Sequence, residues 1–176
     1  MSWEKHLEHW IVLQRVSWLD WLFIDLSWLG RLGLVWVAIA LVLAVLWRRP
    51  SLFLTVVVAD VIADLLAELG KTLFDRHRPF ETQLGPPTST HSLPSGHSAT
   101  AFACATVLAS LAPRWRVPFF ILAALIAFSR IYNGVHYPTD VLAGSALGVL
   151  VGLAVLRVSK RGWRLRPSAG IDEPVG

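Results

Sequence analysis

The amino-acid sequence predicts an all-α integral membrane protein: a helical bundle of five transmembrane helices, six if the N-terminal segment also crosses, preceded by helices lying in the membrane interface. Three observations lead there. Of 176 residues, 55% are hydrophobic and only 16% are charged, with a mean hydropathy of +0.55, which is more apolar surface than a soluble domain of this length can hide. Uncharged apolar runs recur between charged punctuation. Five of the nine tryptophans fall before residue 32, interleaved with charges. The same composition excludes disordered and collagen-like chains.

In chain order, Trp3, Trp10, Trp18, Trp21 and Trp28 alternate with Arg15, Asp20 and Asp25 at spacings of mostly three or seven. That pattern suits helices in the headgroup layer, and residues 1–31 are read as an interfacial region, since a span there would bury several charges. Met1 to Arg15 carries Glu4, Lys5, His6, Glu8 and His9 and does not read as a cleavable signal peptide. The apolar runs follow: Leu32 to Trp47, Pro50 to Ala59 continuing helically to Leu73, Ser98 to Pro113, Val117 to Ser129 and Val141 to Leu156. Runs of 16 residues reach about 24 Å, short of a hydrocarbon core of roughly 30 Å. Snorkelling by Arg31, Arg48, Arg114 and Arg157, with Trp36 and Trp47 near the interface, accommodates the difference. The transmembrane domain is therefore placed at 32–160. Residues 161–176, with Pro167, Gly170, Pro174 and Gly176, read as a cytoplasmic tail, disordered from residue 163.

The net charge of +4 and pI near 9.8 do not point to nucleic acid, because the basic residues are not gathered on one polar element. With five spans, Arg48, Arg49, Arg114, Arg116, Arg157, Lys160, Arg161, Arg164 and Arg166 fall on one side, which the positive-inside rule makes cytoplasmic. The expected location is a plasma (inner) membrane. A lone cysteine, Cys104, excludes an intrachain disulfide and a cysteine-based zinc site. No metal-ligand set and no cofactor are expected.

Three segments collect nearly all the reactive side chains: Lys71 to Pro79, Pro94 to His97 and Ser129 to Asp140. Chain parity brings all three to the non-cytoplasmic face. Lys71, Arg78 and Arg130 would converge there, and three fixed cations at one membrane surface are costly unless an anion lies between them. Arginine forks match phosphate oxygens. Each cation alone would be read as interfacial snorkelling; the three beside two histidines point to a bound anion. Arg76 and His77 lack such support and are read as solvated loop residues.

Ser95 and Gly96 precede a helical run whose first N–H groups can bind phosphate, and His97 beside that anion can serve as a general acid. Standing alone, the same Pro-Ser-Gly-His is equally well read as a helix start and cap. His136 and Asp140 lie four positions apart around Pro138, which suits a turn entering the last span with the carboxylate in its first helical turn. An aspartate can hold one imidazole nitrogen and leave the other free as a nucleophile. Taken separately, Asp140 is equally a helix N-terminal charge and His136 a loop residue.

Lys-x6-Arg-Pro, Pro-Ser-Gly-His and Ser-Arg-x5-His-x3-Asp, in this order, resemble the three-part signature of the phosphatidic acid phosphatase type 2 superfamily over roughly Lys71 to Asp140. Many members have six spans, so the first span and the N-terminal orientation stay open. The resemblance implies a metal-independent membrane phosphatase in which His136 attacks phosphorus to form a phosphohistidine, Asp140 orients His136, and His97 protonates the leaving group and then activates water. Lys71, Arg78, Ser95, Gly96 and Arg130 would hold the phosphoryl oxygens, cationic stabilisation being the main resource without a metal.

The expected substrate is a membrane lipid phosphate in the bilayer. A polyprenyl diphosphate such as the undecaprenyl carrier leads, phosphatidic acid or phosphatidylglycerol phosphate follows, and lipid phosphotransfer stays open. A soluble vanadate-dependent haloperoxidase shares the motifs but not the apolar spans. A non-catalytic lipid-binding or transport protein would not need His97, His136 and Asp140 together. Asp60, Asp64 and Glu68 repeat every four residues ahead of Lys71. Helix-to-helix hydrogen bonding is their favoured reading, with tuning of Lys71 or cation binding as alternatives. Gly144, Gly148 and Gly152 form a small-residue seam, read as packing within the bundle rather than dimerisation; a monomer is favoured.

Overall fold

A computed structural model of the chain describes residues 3–30, 33–79, 83–84 and 91–164. Among them are seven helices: α1 (Trp3–Leu13), α2 (Ser17–Leu29), α3 (Leu34–Leu46), α4 (Pro50–Phe74), α5 (Gly96–Leu111), α6 (Arg116–Tyr132) and α7 (Pro138–Arg164). A 3-10 turn at Pro113–Trp115 leads into α6. No strand occurs among the described residues beyond an isolated bridge between His77 and His91, so the all-α expectation holds.

The apolar runs define the helices, and local chemistry sets their ends. Proline stands at the start of α4, where its missing N–H costs nothing. Asp75 closes the same helix in a left-handed conformation, φ 45°. The last helix begins at Pro138, three residues earlier than the apolar run, so it includes Asp140 in its first turn. It also runs on through Arg164, so residues 163 and 164 of the expected tail are helical. Residues 165–176, like Arg31, lie outside the described residues.

The central helix is α5, packed on α3, α4, α6 and α7. Its neighbours approach closely because the shared surface is built from small side chains. Ala59, Ala63 and Ala67 of α4, Ala99 and Ala103 of α5, and Ala123 of α6 are all inaccessible. Between α5 and α7 the backbones nearly touch: a Cβ on Gly144 would lie 2.4 Å from the Ser95 carbonyl oxygen, and one on Gly148 2.2 Å from that of Ala99. The glycine seam therefore packs within the bundle. Cys104 Sγ donates to Asp60 Oδ1 at 3.6 Å, an α5–α4 bond of the kind favoured for the acidic stripe.

Larger apolar side chains point outward. Val45, Leu46, Leu65, Leu73, Leu142 and Val158 are more than 60% exposed, a surface that only an apolar solvent makes favourable. Two segments are by themselves long and apolar enough to cross a membrane, Pro113–Tyr132 and Pro138–Ser159. The pair α2 and α3, bent by 62°, passes the same test as one unit, and α5 is apolar but shorter.

Candidate active site

Three chain segments meet at one end of the bundle, joined main chain to main chain. Ser92 N donates to Arg76 O at 2.7 Å, tying the segment after α4 to the segment before α5, and Ser95 N donates to Asp140 O at 3.0 Å, tying the start of α5 to that of α7. The turn between α6 and α7 folds over the Arg130 carbonyl, which accepts from Val135 N (3.1 Å) and His136 N (3.3 Å). Gly134 permits this turn with φ 67°.

His136 sits at the centre, 1% exposed. Its Nε2 lies 3.0 Å from Arg78 Nη1. Guanidinium can only donate, so Nε2 carries the lone pair and Nδ1 the proton. Nδ1 lies 3.7 Å from Asp140 Oδ2, longer than a hydrogen bond, and the Ser92 backbone interacts with the ring and favours its charged form. Burial, then the Arg78, Arg130 and Lys71 charges, hold the His136 pKa well below the ordinary imidazole range. The ring is neutral at pH 7. Burial pushes Arg78 down to about 10, which leaves it cationic at that pH; its Nη1 also donates to Val135 O at 2.8 Å.

Asp140 is wholly inaccessible. Its Oδ2 accepts from Tyr137 N at 2.9 Å and its Oδ1 from Arg76 Nη1 at 2.8 Å. Arg76 was expected in a solvated loop and is instead an ion-pair partner of this buried carboxylate, because the bend at Asp75 turns it back toward α7. The exposed His77 fits the loop reading, its ring stacked on that of His91.

The remaining expected residues gather around the start of α5. Ser95 precedes the helix in an extended conformation without a side-chain cap; its Oγ accepts from Ser98 Oγ at 3.0 Å, so the simple capping reading does not hold. A Cβ on Gly96 would lie 3.7 Å from Lys71 Nζ, which places that ammonium beside the helix start. Lys71 also pairs with Glu68. His97 Nε2 bonds the Ser27 carbonyl oxygen, and Arg130, 5% exposed, donates to the Ser27 hydroxyl.

Thus the structure brings together Lys71, Arg78, Ser95, Gly96, His97, Arg130, His136 and Asp140, and adds Glu4, Ser27, Arg76 and Tyr137 around them. Nothing in sequence spacing marked these four. The arrangement offers a neutral buried imidazole with its lone pair toward an arginine, further cations and helix N–H groups beside it, and a second imidazole at the rim. A tetrahedral oxyanion suits that disposition. Among the described residues, no three His, Cys, Asp or Glu side chains are grouped to hold a metal ion.

Comparison with known proteins identifies relatives of the chain. Among curated proteins, the undecaprenyl-diphosphatase of Sulfolobus acidocaldarius is 32% identical over 154 residues, 84% of this chain and 74% of that protein. A lipid A 1-phosphatase of Rhizobium johnstonii is 35% identical over 82% of this chain and 63% of its own length. Two crystal structures share the fold. Aquifex aeolicus LpxE superposes with a TM-score of 0.78 at 30% identity, over 89% of this chain and 96% of its own. The transmembrane PAP2 type phosphatidylglycerolphosphate phosphatase of Bacillus subtilis gives 0.76 at 28%, over 93% and 87%. The family model described as the PAP2 superfamily matches residues 50–164, a stretch holding every motif residue from Lys71 to Asp140, and the chain belongs to that superfamily.

Proposed function

We propose that this PAP2 phosphatase hydrolyses a polyprenyl diphosphate of the bilayer through a phosphohistidine on His136. One observation carries the reading: the Nε2 lone pair of a buried, neutral His136 is directed at Arg78, 3.0 Å away, while its other nitrogen faces Asp140. A phosphoryl group entering there accepts hydrogen bonds from Arg78, Arg130, Lys71 and the first N–H groups of α5. His136 Nε2 then attacks phosphorus as the bond to the leaving lipid-phosphate oxygen breaks, and His97 protonates that oxygen. Neutral His97 next takes a proton from water, whose oxygen attacks phosphorus, breaks the P–N bond and releases inorganic phosphate. Asp140 supports the imidazolium formed between the two steps.

The likeness to the undecaprenyl-diphosphatase supports the polyprenyl substrate. Phosphatidylglycerol phosphate is the second reading, favoured by the similarity to the Bacillus subtilis structure. Release of phosphate by the purified chain from undecaprenyl diphosphate, phosphatidylglycerol phosphate, phosphatidic acid and lipid A decides. Fastest turnover of the first is expected, and turnover of another lipid alone replaces it. Transfer of phosphate to a lipid hydroxyl, seen in the products, would make the enzyme a phosphotransferase.

In this reading α3 to α7 supply five spans, α1 and α2 lie in the headgroup layer with Trp3, Trp18 and Trp21 outward, and the site faces away from the cytoplasm. The exposed tryptophans and the basic residues at the opposite bundle end support it. In a Cys104→Ser background, an impermeant thiol reagent applied to intact cells should label His77→Cys and spare Trp115→Cys. The reverse pattern inverts the topology.

A further inference from the structure

We propose that Arg76, clamped by Glu4 of α1, is a positioning residue for the Asp140–His136 pair. The inference rests on the phosphohistidine reading above. Arg76 Nη1 donates to Asp140 Oδ1 (2.8 Å) and to Thr139 Oγ1 (2.7 Å), and Nη2 to Glu4 Oε1. The Thr139 hydroxyl donates to the other Glu4 oxygen, closing a ring of three side chains. The guanidinium lies over the Tyr137 ring, 4.5 Å from its centroid.

Two consequences follow from this geometry. With Oδ1 held by Arg76 and Oδ2 by the Tyr137 amide, the carboxylate plane of Asp140 cannot turn, so Oδ2 stays the oxygen presented to His136. Along this chain of contacts the charges alternate: Glu4 negative, Arg76 positive, Asp140 negative, His136 neutral, with the Arg78 cation on the far side of the ring. The imidazolium formed with the P–N bond then meets Asp140 on one side, which offsets its repulsion by Arg78 on the other. Glu4 draws Arg76 partly toward itself and leaves Asp140 free to answer the new charge, whereas Arg76 without Glu4 would compete with His136 for it. A helix preceding the family-matched residues thereby completes the catalytic pair. Arg76 holds the Asp140 oxygen not offered to His136, so its loss should act on turnover and not on substrate affinity.

Steady-state kinetics of the full chain in detergent micelles tests this, with whichever of the four lipids above it turns over fastest. Arg76→Ala should lower kcat about ten- to hundredfold, the range for outer partners that orient an active-site group, with KM within about threefold. Arg76→Lys should regain part of the loss, and Glu4→Gln should lower kcat less. In an Asp140→Asn background Arg76→Ala should cost nothing further. Unchanged kcat in Arg76→Ala, a raised KM at constant kcat, or full additivity with Asp140→Asn overturns the role. If Arg76→Ala does not fold, wild-type kcat in both Arg76→Lys and Glu4→Gln overturns it. His136→Ala serves as the separate control: activity there sinks the phosphohistidine reading itself, while its inactivity beside a normal Arg76→Ala removes only the Arg76 role.

Discussion

His97 Nε2 and the main-chain carbonyl oxygen of Ser27 lie 3.2 Å apart, so the C-terminal part of α2 occupies the rim of the site where a leaving oxygen would stand. The Ser27 hydroxyl also takes a hydrogen bond from Arg130. In the proposed reaction, a phosphate that binds Arg130 has to compete with that hydroxyl. Ser27→Ala is therefore expected to lower KM about two- to tenfold, the net worth of one hydrogen bond, with kcat little changed. A higher KM in steady-state assays would place Ser27 among the groups that hold substrate.

The two histidines should fail differently. His136→Ala removes the attacking nitrogen, so rapid-quench labelling with a substrate radioactive in its terminal phosphate should give no phosphoenzyme. His97→Ala should slow both leaving-group departure and water attack by about 10² to 10⁴, with any trapped phosphoenzyme acid-labile. Labelling that persists in His136→Ala and vanishes in His97→Ala would exchange their roles.

The pH dependence has a definite sign. The His136 pKa is depressed in the fold by burial and then by Arg78, so the reactive neutral ring persists well below pH 6.5. Its contribution to stability is present above the unfolded imidazole value of about 6.5 and is lost as pH falls through the folded one. The acid limb of kcat/KM assigned to His136 should accordingly lie below pH 6.5. Removing the nearest cation with Arg78→Gln should move that limb to higher pH, besides weakening phosphate binding. A limb that stays in place in this variant separates it from His136.

The α5–α7 seam predicts a contrast between two glycines. A methyl group at Gly144 meets the Ser95 carbonyl at 2.4 Å, next to the site, and one at Gly152 meets Thr106 Cβ at 2.8 Å, two turns further along. Both Gly144→Ala and Gly152→Ala should destabilise by about 1–3 kcal/mol, as overpacking does, visible as a lower Tm in detergent. Only Gly144→Ala should also lower kcat, by moving Ser95 relative to Asp140. Equal kcat losses would make the effect one of general stability.

Much of this architecture was legible in the sequence because a gathering of cations, histidines and an aspartate on one face of an apolar bundle is costly unless it has a purpose, and is therefore informative. Lys71, Arg78, Arg130, His97, His136 and Asp140 stand out against apolar runs, and the order of the runs already implies that they meet. The partners that complete the site carry no such contrast. Glu4 belongs to a helix where charges are ordinary, and its contact with Thr139 spans 135 positions. Ser27 reaches His97 through a main-chain carbonyl, which no side chain announces. Arg76 was misread because its direction depends on the left-handed turn at Asp75, a backbone choice that an aspartate permits but does not demand.

The near contact of backbones along α5 and α7 also bears on how the enzyme meets different bilayers. Ser95 and Asp140, at the site end of that seam, are joined by a main-chain hydrogen bond, and below it the helices touch through glycine instead of through jointed side chains. So close a contact leaves the pair little room to bend or slide. A bilayer that thickens or thins is then expected to tilt the two helices together, and with them the spacing between Ser95 and Asp140. Adaptation to the membrane is left to the outer faces of the bundle, where Leu142, Leu150 and Val158 stand exposed and a change of rotamer costs the chemistry nothing.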